Sequence, residues 1–156
     1  MQLFFSTTSP YARVARIALA EKGLAEIEGT LTDPWLDAPA LLAANPSARV
    51  PVLLLDSGVA LTESLLIVLW LETQRPAPTL LGSAPEHVLA QAGVAIGGID
   101  AAAATIITRR SAPGFDESPV GLRRRRSIVQ ALQRLEGDAP ALAGPAQGAA
   151  SLAVIA

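Results

Sequence analysis

The chain has 156 residues, a formal net charge of −2 and 51% hydrophobic residues, enough for one packed domain or a domain with part of a second. So balanced a charge gives no general attraction to nucleic acid or to an anionic membrane, and partners have to be argued locally. Cysteine is absent, which excludes disulfide staples, thiolate metal sites and redox chemistry by the protein's own sulfur.

Met1-Gln2-Leu3-Phe4-Phe5 has no basic leader and meets polar residues at Ser6. It reads as a buried first strand and not as a signal peptide, and a cytoplasmic setting is expected. From Tyr11, the positions Val14, Ile17, Ala18 and Leu19 share one helical face, and Gly23 is a natural stop. Glu26 to Leu31 alternates like a second strand, and Pro39 to Ala44 makes a short helix. Val50 to Leu55 is the most apolar strand, joined through Asp56-Ser57-Gly58 to Val59-Ala60-Leu61 as a hairpin. The next helix runs roughly from Glu63 to Gln74 and stops before Arg75-Pro76-Ala77-Pro78. This order, βαβ-(α)-ββα, predicts an α/β, thioredoxin-like domain over residues 1–76 with a mixed four-stranded sheet and one cis-proline. A linker over 77–85 follows.

Residues 86 to about 110 are helical by composition. Gln91 and Asp100 interrupt their apolar run, which favours an interior helix over a membrane span. Pro119 to Glu136 predicts a second helix with Ser118 as its N-cap and Gly137 past its end. A proline- and glycine-rich loop is expected over 138–148, and Ser151 then caps an apolar segment too short to be stable without tertiary support. Residues 86–156 therefore read as an incomplete all-α second domain.

Three motifs carry candidate chemistry. Ser9 precedes Pro10, the residue type favoured at a first helical position, so its hydroxyl suits a cap; at the same place it suits donation to an anion, a thiolate included. Pro51 inside a strand pattern is either an ordinary trans proline at a strand start or a cis residue that turns the backbone of Val50 toward an extended peptide. Thr62-Glu63-Ser64 opens a helix. It serves either as a cap or as a receptor in which hydroxyl and free N–H groups take a carboxylate and Glu63 takes an ammonium.

The strings Ser9-Pro10-Tyr11-Ala12-Arg13, Asn45-Pro46-Ser47-Ala48-Arg49-Val50-Pro51-Val52-Leu53 and Leu61-Thr62-Glu63-Ser64 resemble, in order and spacing, the N-terminal domain of the cytosolic glutathione transferases. The resemblance covers residues 1 to about 76, and 86–156 look like the first helices of the family's second domain. It implies that Ser9 holds the place of the activating serine of zeta-like members and of the cysteine of omega-like ones. Val50 would supply the backbone contact before cis Pro51, and Glu63 with Ser64 the γ-glutamyl clamp. It further implies glutathione as co-substrate, a small hydrophobic electrophile as second substrate and a homodimer; the residues themselves form no recognisable metal-ligand cluster, so no metal is expected. The sequence departs from the pattern at Val14-Ala15, where bacterial relatives commonly show Lys-Val, at Val154, where the family usually has an aspartate, and in length. A non-catalytic glutathione-binding module is the competing expectation; a disulfide reductase is disfavoured because serine forms no mixed disulfide.

Other features read as structural. Arg123 to Arg126 is expected to be solvated, with Arg123 or Arg126 pairing Asp116 or Glu117, and scarce aromatic residues disfavour nucleic acid. His87, the only histidine, has no partner at a catalytic spacing. Trp35 and Trp70 are expected to pack. Gly97-Gly98 suggests close helix approach, with a dimer interface as one place for it.

Overall fold

Gln2–Phe5 forms β1, whose Leu3 and Phe4 turn to opposite faces and are both buried, as suits an inner strand. The computed structural model describes residues 1–142 and 150–156. β1 pairs parallel with β2 (Glu28–Leu31) and antiparallel with β3 (Val52–Leu54), which pairs antiparallel with β4 (Ala60–Thr62). The sheet order is β2-β1-β3-β4. With α1 (Pro10–Glu21), α2 (Pro39–Ala44) and α3 (Ser64–Gln74) the chain adopts the expected thioredoxin-like order and mixed four-stranded sheet.

Element ends moved for identifiable reasons. β2 begins at Glu28 and not at Glu26, because the Ile27 N–H closes a turn onto the Leu24 carbonyl. β3 begins at Val52, since Pro51 has no N–H for the ladder, and the Val50–Pro51 bond is cis. The sequence signalled one cis-proline; a second joins Ala77 to Pro78. The hairpin turn is as expected, with Gly58 at φ +85° and its N–H on the Leu55 carbonyl.

A buried cluster unites Phe4 of β1, Val52 of β3, Val50, Leu41 of α2 and Ala12 of α1. Leu3 and Leu53, partners in register, turn to the other face. α1 packs along α3, and Val14, Ala18, Ile67, Val68 and Leu71 are buried. The Lys22 ammonium, fully buried at the end of α1, donates to the carbonyls of Arg75 at 2.7 Å and Pro78 at 2.6 Å and pairs with Glu72. Glu72 in turn accepts the Leu80 N–H at 2.8 Å and the Thr79 hydroxyl at 3.0 Å. Residues 75–80, of which 77–80 belong to the expected linker, are thus fastened to α1, and Leu80 is fully buried.

The chain divides into two compact units, Met1–Leu80 with Ile155 and Leu81–Val154 with Ala156. In the second, α4 (Pro85–Arg109) packs along α5 (Pro119–Leu142). Among the described residues α4 is the one helix long and apolar enough to cross a membrane by length and composition; in this unit it serves as a bundle helix, with Asp100 midway along it. Gly98 lets the two helices approach, since a Cβ there would stand 3.1 Å from that of Ala131, whereas Gly97 faces open space. The close approach at Gly98 is thus made to α5 of the same chain. Ser118 Oγ accepts the Gly121 N–H at 3.0 Å, the expected cap. α5 does not stop at Gly137: it runs on to Leu142, with Arg134 bonded to Asp138 at 2.7 Å one turn further. The rest of the expected loop lies outside the described residues. Ser151 precedes α6 (Leu152–Ile155) without a side-chain cap bond. Asp116 is paired with Arg109 at 2.9 Å, not with Arg123 or Arg126. Trp35, expected to pack, is 58% exposed.

Candidate functional site

Phe4, Val52 and Thr62 lie side by side across β1, β3 and β4. The chain leaves β1, enters β3 and leaves β4 at this same end of the sheet. Ser9 follows the first strand, Val50-Pro51 precede the second and Glu63-Ser64 follow the third, so the topology brings all five sequence-predicted residues to one edge. Ala12 and Val50 share the buried cluster beneath them.

Ser9 caps α1: its backbone is extended at φ −80° and ψ 116°, and its Oγ accepts the Ala12 N–H at 3.1 Å. That bond uses one lone pair of a hydroxyl that also carries a proton. The proton donates to no group among the described residues. The cap and the anion donor, alternatives in the sequence, are therefore compatible in one side chain. The cap bond also orients the hydroxyl at the positive end of a 12-residue helix.

The loop into β3 is built by Asn45, which is buried. Its Oδ1 accepts the Ser47 N–H at 3.1 Å and its Nδ2 donates to the Arg49 carbonyl at 2.9 Å. This is the local turn that asparagine side chains make with their own backbone. It carries Ala48 at φ +51° and delivers Val50 to the sheet end.

Glu63 stands at the N-cap of α3 with φ +65° and ψ 123°, and its side chain makes no cap bond. A non-glycine residue in that region is strained, and such strain persists where surrounding structure enforces it. Its carboxylate instead receives Arg49 Nη2 at 2.6 Å. The first N–H groups of α3 have no side-chain cap. Ser64 is buried, yet among the described residues its Oγ has no partner while no fully enclosed polar side-chain atom lacks one, so this hydroxyl opens to solvent. The sheet end thus offers a hydroxyl proton, an unpaired strand entrance, a carboxylate and an open helix N-terminus. That set suits a peptide bearing both an ammonium and a carboxylate.

Sequence reasoning missed Arg49 and Asn45 as parts of the site, although both stand in the string that carried the resemblance. Asn45-Pro46-Ser47 is a turn signature that would have found the second; nothing local announces the bond from Arg49 to a residue across the hairpin. A cavity of about 600 Å³ on the first unit contains none of the five predicted residues. The described residues hold no cluster of histidine, cysteine, aspartate or glutamate suited to a metal ion.

Comparison with known proteins points to one family. Residues 8–74 match the family described as glutathione S-transferase, N-terminal domain. The maleylacetoacetate isomerase of Pseudomonas aeruginosa is 39% identical over 97 residues, 59% of this chain and 44% of that protein. An uncharacterized GST-like protein of Escherichia coli, YibF, is 30% identical over 140 residues, 88% of this chain and 69% of that one. The crystal structure of a glutathione S-transferase from Methylobacillus flagellatus with glutathione bound superimposes with a TM-score of 0.85 at 30% identity, covering 99% of this chain and 77% of that one. The match to the isomerase thus spans less than half of its length.

Proposed function

Because the chain belongs to the glutathione S-transferase family, we propose that it binds glutathione at the sheet end and transfers the glutathione sulfur to a small apolar electrophile. Ser9 Oγ–H donates to the thiolate, in the manner of a serine-type, zeta/omega-like member. The Val50 backbone, beside Pro51, pairs with the cysteinyl part. Glu63 takes the γ-glutamyl ammonium, and Ser64 with the open N–H groups of α3 takes its carboxylate. In this reading residues 1–76 are the glutathione-binding domain, 77–85 the linker and 86–156 the front of a helical domain. The protein works as a homodimer in the cytoplasm and uses no metal.

The observation that supports the reading most is the unused proton on Ser9 at the start of α1. A free thiol titrates near ~8.5, and lowering it by ~2 units takes about 2.7 kcal/mol of preference for the anion. A charge-assisted hydrogen bond contributes roughly 1.5–3 kcal/mol and a helix terminus about 0.3–1. Together they reach that figure without ionising the serine, and the remaining contribution is proximity of thiolate and electrophile.

The test is Ser9→Ala, measured as retention on immobilised glutathione and as conjugation to an aryl halide. Loss of the donor is expected to cut conjugation roughly 10- to 100-fold near pH 7, with retention preserved. Equal rates at matched pH overturn the role of Ser9. Retention by the parent chain with no turnover assigns it instead to the non-catalytic module.

A further inference from the structure

α4 and α5 meet at a corner closed by the single-turn helix Phe115–Glu117, and a small notch opens there within the second unit. Thr105 and Arg109, one turn apart on α4, form one wall. Gly121, Arg125, Ile128 and Val129, which recur at the spacing of one face of α5, form the other, and Asp116 completes the lining. The corner is held in shape: Ser118 Oγ takes the Gly121 N–H, and Gly121 leaves no room for a side chain against the Phe115 carbonyl. The Thr105 hydroxyl is buried and donates to the Ala101 carbonyl at 2.8 Å. At about 210 Å³ the notch is smaller than a drug-sized site and suits a compact ion.

Residues 109–126 contain six arginines against two carboxylates, Asp116 and Glu117. Successive residues of a helix point in different directions, so of the run Arg123 to Arg126 only Arg125 lines the notch. Helix positions that face a neighbouring helix are ordinarily apolar, yet here Arg125 brings a second guanidinium to the notch that Arg109 already lines. Asp116 answers one of the two charges. It accepts from Nε of Arg109 at 2.9 Å, and the outer N–H groups of that fork stay unused among the described residues. Among the same residues Arg125 makes no ion pair. Two cations sharing one small notch repel each other, and the apolar side chains of Ile128 and Val129 weaken the screening by water. An anion between them removes that cost. Forked donors reaching it from two helices can engage more oxygens than the two of a carboxylate, and so match a phosphate group.

We propose that this notch binds a phosphate group, as inorganic phosphate or as the end of a small phosphate monoester, between Arg109 and Arg125. The site lies within the second unit and is independent of the glutathione reading. The test titrates the full chain with inorganic phosphate, in phosphate-free buffer at constant ionic strength, while backbone amides are followed by NMR. Saturable changes centred on residues 105–109 and 116–129 are expected. Arg125→Gln loses one charge-assisted contact and should raise the phosphate Kd roughly tenfold or more, whereas Arg126→Gln, one position round the helix, should change it less than about twofold. Asp116→Asn removes the one carboxylate of the lining, keeps an acceptor for Arg109, and should lower the Kd about threefold. Acetate should bind at least about tenfold more weakly than phosphate. Methyl phosphate separates the two sources: a Kd matching that of phosphate assigns the site to monoesters, and a much weaker one assigns it to the free ion. Unsaturable changes spread over all the arginines, equal Kd values in the parent and Arg125→Gln, or equal Kd values for acetate and phosphate would each overturn the proposal.

Discussion

Glu63 carries a backbone conformation, φ +65°, that glycine adopts without penalty. Glu63→Gly is therefore expected to raise stability by about 1 kcal/mol while weakening retention on glutathione, because the carboxylate is lost; urea unfolding and affinity chromatography of one sample check both. Unchanged retention would remove Glu63 from the proposed clamp. Lys22 is a residue of the opposite kind, important to the fold and silent in the chemistry. Burial pushes the Glu72 carboxyl up, but hydrogen bonds from Lys22, Leu80 and Thr79 outweigh it, and the group sits below its ordinary 4.5. With the folded value depressed, the stabilisation is complete above pH 4.5 and is lost as the pH falls through the lower folded value. Lys22→Met leaves that carboxylate without its cation and should cost about 3 kcal/mol at pH 7, with the deficit shrinking in acid; equal losses at pH 7 and pH 3 would contradict the pairing. Ser9, Pro51 and Glu63-Ser64 were legible as candidates because each sits at a strand or helix junction. Lys22 was not, since Lys22-Gly23 reads as a solvated helix end and its burial is created by carbonyls more than fifty residues away.

Among the elements, the start of α5 is the most constrained. A Cβ on Gly121 would fall 2.0 Å from the Phe115 carbonyl oxygen, a backbone atom that cannot step aside alone. Gly121→Ala should destabilise by roughly 1–3 kcal/mol, more than the ~1 kcal/mol expected for Ser118→Ala, which loses only the cap; thermal unfolding of the two variants side by side gives the order. The Ser118-Pro119 start was readable because cap and first-turn proline are local chemistry. The far end was not, because a lone glycine costs a helix only about 1 kcal/mol and Arg134 with Asp138 supports continuation. In the same way the hairpin and α2 followed from their turn residues. The first residues of β2 were misjudged because the turn at Leu24 claims the Ile27 N–H.

For the whole molecule, the order of elements was sufficient to predict the thioredoxin-like sheet, and the spacing of three junction motifs was sufficient to predict that they meet at one end of it. The exposed face of the helical unit, including Ile106, Ile107, Val120 and Leu122, was beyond reach from sequence, since exposure depends on what else covers a helix. The boundary is sharper in the structure than in the pattern: the first unit extends to Leu80, past the Pro76 at which the motif ends. A fragment ending at residue 76 should unfold at lower urea than one ending at 82, because only the longer one supplies the Pro78 carbonyl and the Leu80 N–H; identical midpoints would show that the fastening contributes nothing. The buried ammonium also sets the heading of the polypeptide as it departs from α3. Engineers joining a foreign module to this scaffold should accordingly find the junction forgiving just beyond Leu80 and intolerant between Arg75 and Thr79, where every inserted residue would pull a carbonyl away from the cation that anchors it.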